Sequence, residues 1–373
     1  MKIGIVCYPT FGGSGVLATE LGKGLALNGH QVHFITYSQP VRLDIFNPNV
    51  YYHEVPVPSY PLFEYPPYEL ALASTLVDVI TKYKLDILHV HYAIPHASAG
   101  LLAKNILLSK TGKCIPLITT LHGTDITLVG KDKTFEPAVT YSINKSDGIT
   151  AVSKNLKDET YKNFPITKDI KVIYNFVDVK RFDDHFREKN RCLFAPDNEK
   201  ILLHMSNFRK VKRVNDAIKI FAKVREKHSA ILLMVGDGPE RGNAEELVKD
   251  LDIFPYVRFL GKQEKVEEIF PCADIFLLPS EYESFGLAAL EAMAAHTAVI
   301  STNVGGIPEV NIEGETGFMF NIGDIDTAAE KANLLLSDAQ LLATVKENAF
   351  KHAQQFDIKK IIPQYEAFYK SFL

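Results

Sequence analysis

Short runs rich in β-branched residues alternate with longer amphipathic stretches along almost the whole chain, and no other feature restricts the fold as much. In the first half the runs are Lys2 to Cys7, His30 to Thr36, Ile87 to His91, Pro116 to Leu121, Gly148 to Val152 and Ile170 to Tyr174. In the second half they are Lys200 to Met205, Ala230 to Val235, Val257 to Leu260, Ala273 to Leu278 and Ala298 to Ser301. Parallel strands need a crossover of about a dozen residues, which a helix supplies, so each set predicts one doubly wound α/β sheet. A chain of 373 residues is too long for one ordinary core and suits two domains. The join is expected near Asn175 to Asp183, and Asp184 to Lys200 then runs polar without a clear period.

Charge and cysteine usage narrow the function. A formal net charge of -4 without a long Lys/Arg block disfavours nucleic acid and anionic membranes, leaving small molecules as the expected partners. Met1-Lys2-Ile3-Gly4-Ile5-Val6 reads as a buried first strand rather than a signal peptide, and no apolar run reaches membrane-spanning length. Cys7, Cys114, Cys192 and Cys272 are scattered without C-x-x-C spacing, so neither disulfides nor a zinc site are expected. The expected compartment is the cytoplasm.

In open parallel sheets ligands bind outside the carboxyl ends of the strands, and three loops there carry chemistry. The first, Gly12-Gly13-Ser14-Gly15, precedes a helix expected over about Val16 to Asn28, where backbone N–H groups can approach a phosphate. Gly13-x-Gly15-x-x-Ala18 also fits a relaxed dinucleotide fingerprint. The acid that should follow strand two to hold a ribose is replaced by Ile35-Thr36-Tyr37-Ser38-Gln39, which weakens an NAD reading. A tight turn without a ligand is the plain alternative. The second loop, Ser206-Asn207-Phe208-Arg209-Lys210-Val211-Lys212-Arg213, places four cations before a helix N-terminus that prefers anions. Arg209 and Lys212 are therefore candidate pyrophosphate partners, with a solvated charged turn as the alternative. The third runs from Glu283 into the apolar segment Phe285 to Ala295, in which Glu291 is the lone charge. A helix starting near Phe285 puts Glu291 about 9 Å along its axis, the span of a nucleoside diphosphate sugar. Ribose hydroxyls then fall at Glu291, phosphates at the free amides of Phe285, Gly286 and Leu287, and the sugar at Glu283. Glu291 instead pairing with a buried cation is the alternative.

With these residues in place the chain resembles retaining glycosyltransferases of the GT-B fold, in the family (family 4) that carries an E-x7-E motif, here Glu283 to Glu291. Gly12-Gly13-Ser14-Gly15, Val235-Gly236-Asp237-Gly238-Pro239-Glu240, and Gly305-Gly306-Ile307-Pro308-Glu309 with Thr316-Gly317-Phe318 follow that family's order. The resemblance implies two Rossmann-like domains facing across a cleft, residues 1–177 and 178–356, with a final helix over 357–373 crossing back onto the first. Pro363 is expected to interrupt that helix. It further implies that Glu283 holds the donor sugar, Glu291 the ribose, and Lys212 with the backbone at Phe285 to Leu287 the diphosphate. The family usually has an Arg where Asn207 stands; Asn207 is kept among the donor contacts, and Arg209 either takes that duty from a different position or contacts another group. Gly261 is carried over as a backbone contact to the base, and Gly13, Ser14 and Gly15 as donor-side contacts.

More narrowly, His89-Val90-His91-Tyr92-Ala93-Ile94-Pro95-His96 and Thr119-Thr120-Leu121-His122-Gly123-Thr124-Asp125-Ile126-Thr127, with the basic loop, resemble a particular branch of the family. Its members transfer N-acetylglucosamine from UDP-N-acetylglucosamine to the hydroxyl of L-malate, the first step of bacillithiol biosynthesis. On that reading Tyr92 and Arg209 contact the malate carboxylates, and Ser14, Thr120 and Asn175 add polar contacts. His122 lies beside the donor sugar, and Glu283, His122, Lys212 and Arg209 form the catalytic set. His89 and His91 share a strand face, yet no acid flanks them, and no metal or other cofactor is expected. The alternatives are a related transferase with another small anionic acceptor, a UDP-sugar epimerase, an NAD-dependent oxidoreductase and a nonenzymatic nucleotide-sugar sensor. A homo-oligomer is compatible with the sequence.

Overall fold

The computed structural model describes residues 1–10, 12–57, 65–128, 132–182 and 187–373, without the side chains of 187–189. The chain divides into two compact units, Met1–Asn175 with Ile358–Leu373, and Phe176–Asp357. Residues 184–186 of the polar stretch after the join lie outside the described residues.

The first unit holds seven strands: β1 (Lys2–Val6), β2 (Gln31–Thr36), β3 (Val50–Glu54), β4 (Ile87–His91), β5 (Leu117–Leu121), β6 (Gly148–Ala151) and β7 (Lys171–Val172). They run in the order β3-β2-β1-β4-β5-β6-β7 with every pairing parallel. The second unit holds β8 (Lys200–Met205), β9 (Ala230–Val235), β10 (Val257–Gly261), β11 (Ile275–Leu278), β12 (Ala298–Thr302) and β13 (Gly317–Phe320). Their order is β10-β9-β8-β11-β12-β13, again all parallel. Central strands such as β4, β5, β9 and β12 are buried along their whole length because helices cover both faces of a parallel sheet.

Each order reverses once, between β1 and β4 and between β8 and β11. At such a switch point the loops leaving two adjacent strands part to opposite faces and open a crevice at their carboxyl ends. The glycine loop and Tyr92 follow β1 and β4; the basic loop and Glu283 follow β8 and β11.

The structure departs from the sequence reading in four places. Strands β3 and β13 are absent from that reading because both are sheet edges: Val50–Glu54 is only half-buried, and Gly317–Phe320 opens on a glycine. The aperiodic stretch after the join contains a helix, Arg187–Phe194, anchored by polar contacts instead of an apolar stripe. Arg191 donates to the carbonyls of Cys272 and Glu199 and to Asp274. The helix Ile358–Lys370 runs through Pro363 without a break, since Pro363 lies on its exposed side while Ile361, Ile362, Tyr365 and Tyr369 anchor the other. Finally, the helix after Glu283 spans Leu287–Ala294 and starts two residues later than Phe285.

Candidate functional site

In the second unit, the loops after β8 and β11 are pinned side by side. His204, at the end of β8, bridges the strands: its Nδ1 lies 3.0 Å from the Leu277 carbonyl and its Nε2 2.9 Å from Ser206 Oγ. Burial pushes its pKa down to about 4, so the bridging ring is neutral. Further along, Glu281 N donates to the Val211 carbonyl at 2.8 Å. The loop Gly236 to Glu240 backs the basic loop so closely that a Cβ on Gly236 would stand 1.8 Å from the Ser206 carbonyl oxygen, and one on Gly238 2.1 Å from that of Asn207.

The four cations of the basic loop part company. Arg213 binds Asp216 in the first turn of the helix Val214–Arg225 and reaches Glu281 at 3.0 Å. Asp216 thus supplies from within the chain part of the negative charge the helix start prefers. Lys212 Nζ donates to Glu283 Oε1 at 2.6 Å. Arg209 and Lys210 are exposed, as is Asn207.

Glu283 Oε1 also accepts from Ser280 Oγ at 2.8 Å, a contact the sequence reading missed because serine before an acid is too common to signal anything. The carboxylate retains 14% exposure. Its backbone rests on the Gly305-Gly306 turn, where Gly306 N donates to the Glu283 carbonyl at 2.9 Å. Gly286, at φ 92, starts the following helix, and the Phe285 ring is buried 5.6 Å from that of Phe356. Phe285 and Gly286 therefore precede the helix, and its first-turn amides belong to Leu287, Ala288 and Ala289, a correction to the phosphate cradle drawn from sequence. On this helix Ala289, Leu290, Ala292, Met293 and Ala294 are buried, whereas Leu287, Ala288 and Glu291 share a face that stays half-open. Glu291 is thus not enclosed by the apolar core, and it stands about 6 Å along the axis from the helix start, not 9. Gly261 ends β10 at φ 66 and its carbonyl accepts from Gly236 N at 2.8 Å.

In the first unit, Ser14 lies in the opening turn of the helix Gly13–Leu27, and Gly15 lets that helix press against the preceding loop, since a Cβ would stand 2.4 Å from the Tyr8 carbonyl oxygen. Tyr92 donates its hydroxyl to Ser14 Oγ at 2.6 Å, tying the loop after β4 to the glycine loop. Its backbone has φ 89 and ψ 140, which costs a side-chain-bearing residue about 1–3 kcal/mol and is retained only where surroundings enforce it. Part of that enforcement comes from Asp125, whose Oδ2 accepts from Ala93 N at 2.9 Å and Oδ1 from Gly123 N at 3.1 Å. Burial raises Asp125 to about 6 against those hydrogen bonds. Sequence reasoning passed over Asp125, although an acid two residues after Gly123 was its signal.

The His122 ring lies 5.1 Å from that of Tyr92, and its Nε2 is 2.8 Å from His91 Nδ1. Burial holds it at about 3. Thr120 does not join this group. It is fully buried and its hydroxyl is shared between His89 Nε2 at 2.7 Å and Thr150 at 2.6 Å, which removes it from the acceptor contacts expected from sequence. The other His89 nitrogen faces the Tyr369 hydroxyl at 2.7 Å. Asn175, 9% exposed, is the last residue of the unit's first segment. Among the described residues no cluster of three His, Cys, Asp or Glu has the makings of a metal site, and no helix is long and apolar enough to cross a membrane.

The chain matches the family model "Glycosyltransferase Family 4" over residues 11–181 and "Glycosyl transferases group 1" over 186–352. It is 48% identical over 371 residues to the N-acetyl-alpha-D-glucosaminyl L-malate synthase of Bacillus anthracis, covering 99% of this chain and 96% of that protein. An uncharacterized glycosyltransferase of Methanocaldococcus jannaschii is 31% identical, with 94% and 93% covered. Among solved structures, Anabaena HepE in complex with UDP and glucose superposes with a TM-score of 0.83 at 22% identity, each chain fully covered. A glycosyltransferase from Rickettsia africae gives 0.80 at 22% identity, with 100% and 98% covered. The two parallel-sheet Rossmann-like units are those of the GT-B fold.

Proposed function

We infer the reaction from one premise: the chain belongs to glycosyltransferase family 4. We propose that it transfers N-acetylglucosamine from UDP-N-acetylglucosamine to the hydroxyl of L-malate with retention at the anomeric carbon, the opening step of bacillithiol biosynthesis. The observation that carries this is the 48% identity, over nearly the full length of both chains, to a protein of that name.

In the second unit Glu283 would accept from hydroxyls of the donor sugar, and Glu291, on the half-open face of its helix, from the ribose. Lys212, exposed Arg209 and the first-turn amides at Leu287 would meet the diphosphate, so that no metal or other cofactor is invoked. In the first unit Ser14, which accepts from the Tyr92 hydroxyl, is left to offer its own proton to an acceptor carboxylate. The bond from the acceptor oxygen to the anomeric carbon forms as the bond to the diphosphate breaks, and the departing phosphate oxygen takes the acceptor proton. Stabilising the charge that grows on the leaving diphosphate is the effect such a site is best placed to supply.

The test is incubation with UDP-N-acetylglucosamine and L-malate in the presence of a chelator, following UDP release, product mass and anomeric coupling. An α-linked malate adduct formed with one UDP per turnover is expected. UDP release without an adduct, or an adduct with a different acceptor only, overturns the malate assignment; isomerised UDP-sugar would indicate an epimerase.

A further inference from the structure

His91 has no role in the reaction as described so far, yet its surroundings restrict what His122 can do. Its ring stacks 5.0 Å from that of His122 and lies tilted 4.5 Å from that of His89, and its Nδ1 faces His122 Nε2 at 2.8 Å. Its own Nε2 is buried and has no hydrogen-bond partner among the described residues. One proton is shared across the His91–His122 contact. If His122 Nε2 carried it, a neutral His91 would hold its own proton on Nε2, burying an N–H with nothing to receive it. If His91 Nδ1 carries it, only a lone pair is left unmet at Nε2. Unpaired buried N–H groups are the rarer and more costly of the two. Burial drives both rings to the neutral form. His122 then has a single place for its proton.

We propose that His91 is a positioning residue that holds the His122 proton on Nδ1, so that His122 offers an N–H donor to a ligand oxygen and does not serve as a base. With its Nε2 committed to His91, Nδ1 is the nitrogen a neutral His122 has left for a ligand, and His122 keeps 9% exposure where His91 keeps 2%. The ligand oxygen is a sugar hydroxyl or a carboxylate, and that identification alone rests on the transferase reading above.

The direct test reads the tautomer from nitrogen shifts and ring couplings of protein labelled with 15N-histidine, without substrate. His122 is expected as the Nδ1–H form in the native protein and as a mixture or the Nε2–H form in His91→Leu. Nε2–H in the native protein overturns the proposal. Turnover gives a second arm. His122→Asn, whose amide N–H stands near the Nδ1–H position, should exceed His122→Ala by about tenfold, the worth of one hydrogen bond. Equal loss in the two would mean that a base, not a donor, was removed. His91→Asn, which keeps a donor toward His122, should retain more turnover than His91→Leu; no difference between them again overturns the assignment. The labelled native protein answers even if a variant fails to fold. Its result also does not depend on which acceptor is used, so the two proposals fail separately.

Discussion

Lys212 and Glu283 spend their charges on each other across 71 positions of sequence, and the Ser280 hydroxyl shares the same carboxylate oxygen. Lys212 keeps 21% side-chain exposure and Glu283 14%, so water can still reach whichever partner is left behind, and their substitution should leave the fold in place. Their cost should appear in turnover instead. Glu283→Ala is expected to lower kcat/KM about 100-fold or more, and Lys212→Met to do so by a similar factor as the diphosphate loses a cation. Thermal midpoints should move by only a few degrees. Near-normal turnover in Glu283→Ala would refute its role. Sequence spacing drew attention to each residue separately. Their contact was not legible, because nothing in a sequence says that the loops after β8 and β11 are neighbours until strand order is known. Thr120 illustrates the opposite error: a hydroxyl at a strand end reads as a ligand contact, while the structure places it in a network with His89 and Thr150.

The glycine turns behind the site work through shape at the level of strands and loops. Gly305 has φ 57, and a Cβ there would stand 2.0 Å from the Glu283 carbonyl oxygen. Gly305→Ala should therefore cost more than about 1 kcal/mol and move Glu283 off its Ser280 and Lys212 partners. Chemical denaturation together with donor KM would show it; unchanged values in both would mean the turn tolerates a side chain. Such glycines are visible in the sequence but their partners are not, since each contact joins two loops far apart in the chain. Strand alternation was readable wherever strands are buried on both faces, and failed at edges β3 and β13. The start of the helix Leu287–Ala294 was misplaced by two residues because Phe285 is apolar and fits the helical stripe, whereas Gly286 ends the preceding loop in a left-handed conformation.

Over the whole molecule, buried histidines govern the response to acid. Burial depresses His89 to about 3, His96 to about 4 and His122 to about 3, and holds His91 well below its ordinary value, from an unfolded value of 6.5. A depressed pKa gives stability that is complete above 6.5 and is lost as pH falls toward the folded value. Asp125, raised to about 6, has the opposite sign: its contribution is complete below 3.8 and fades as pH rises to 6. His33, lowered to about 4, and His53, also lowered, act with those four histidines against Asp125, so the first unit should weaken between pH 6.5 and 4. Urea midpoints followed by its tyrosines should fall across that window, and a flat profile would contradict the burial of these rings. The helix Ile358–Lys370 belongs to the same unit: Tyr369 meets His89, and Asn28 and His30 meet Glu366. Truncation before Ile358 should strip those partners and leave the first unit unfolded or aggregated. Supplying 358–373 ahead of Met1 in a permuted chain should restore it. A truncated protein with native stability would contradict this account.

The same return of the chain sets a timetable for synthesis. The unit that leaves the ribosome first waits for its last helix until the whole of Phe176–Asp357 has been translated. For that interval its buried histidine and threonine network faces water on the side Tyr365 and Tyr369 will cover. The nascent first unit is thus an unfinished client, exposed to chaperones and proteases longer than its place in the chain suggests, while the second unit has all its strands as soon as it emerges.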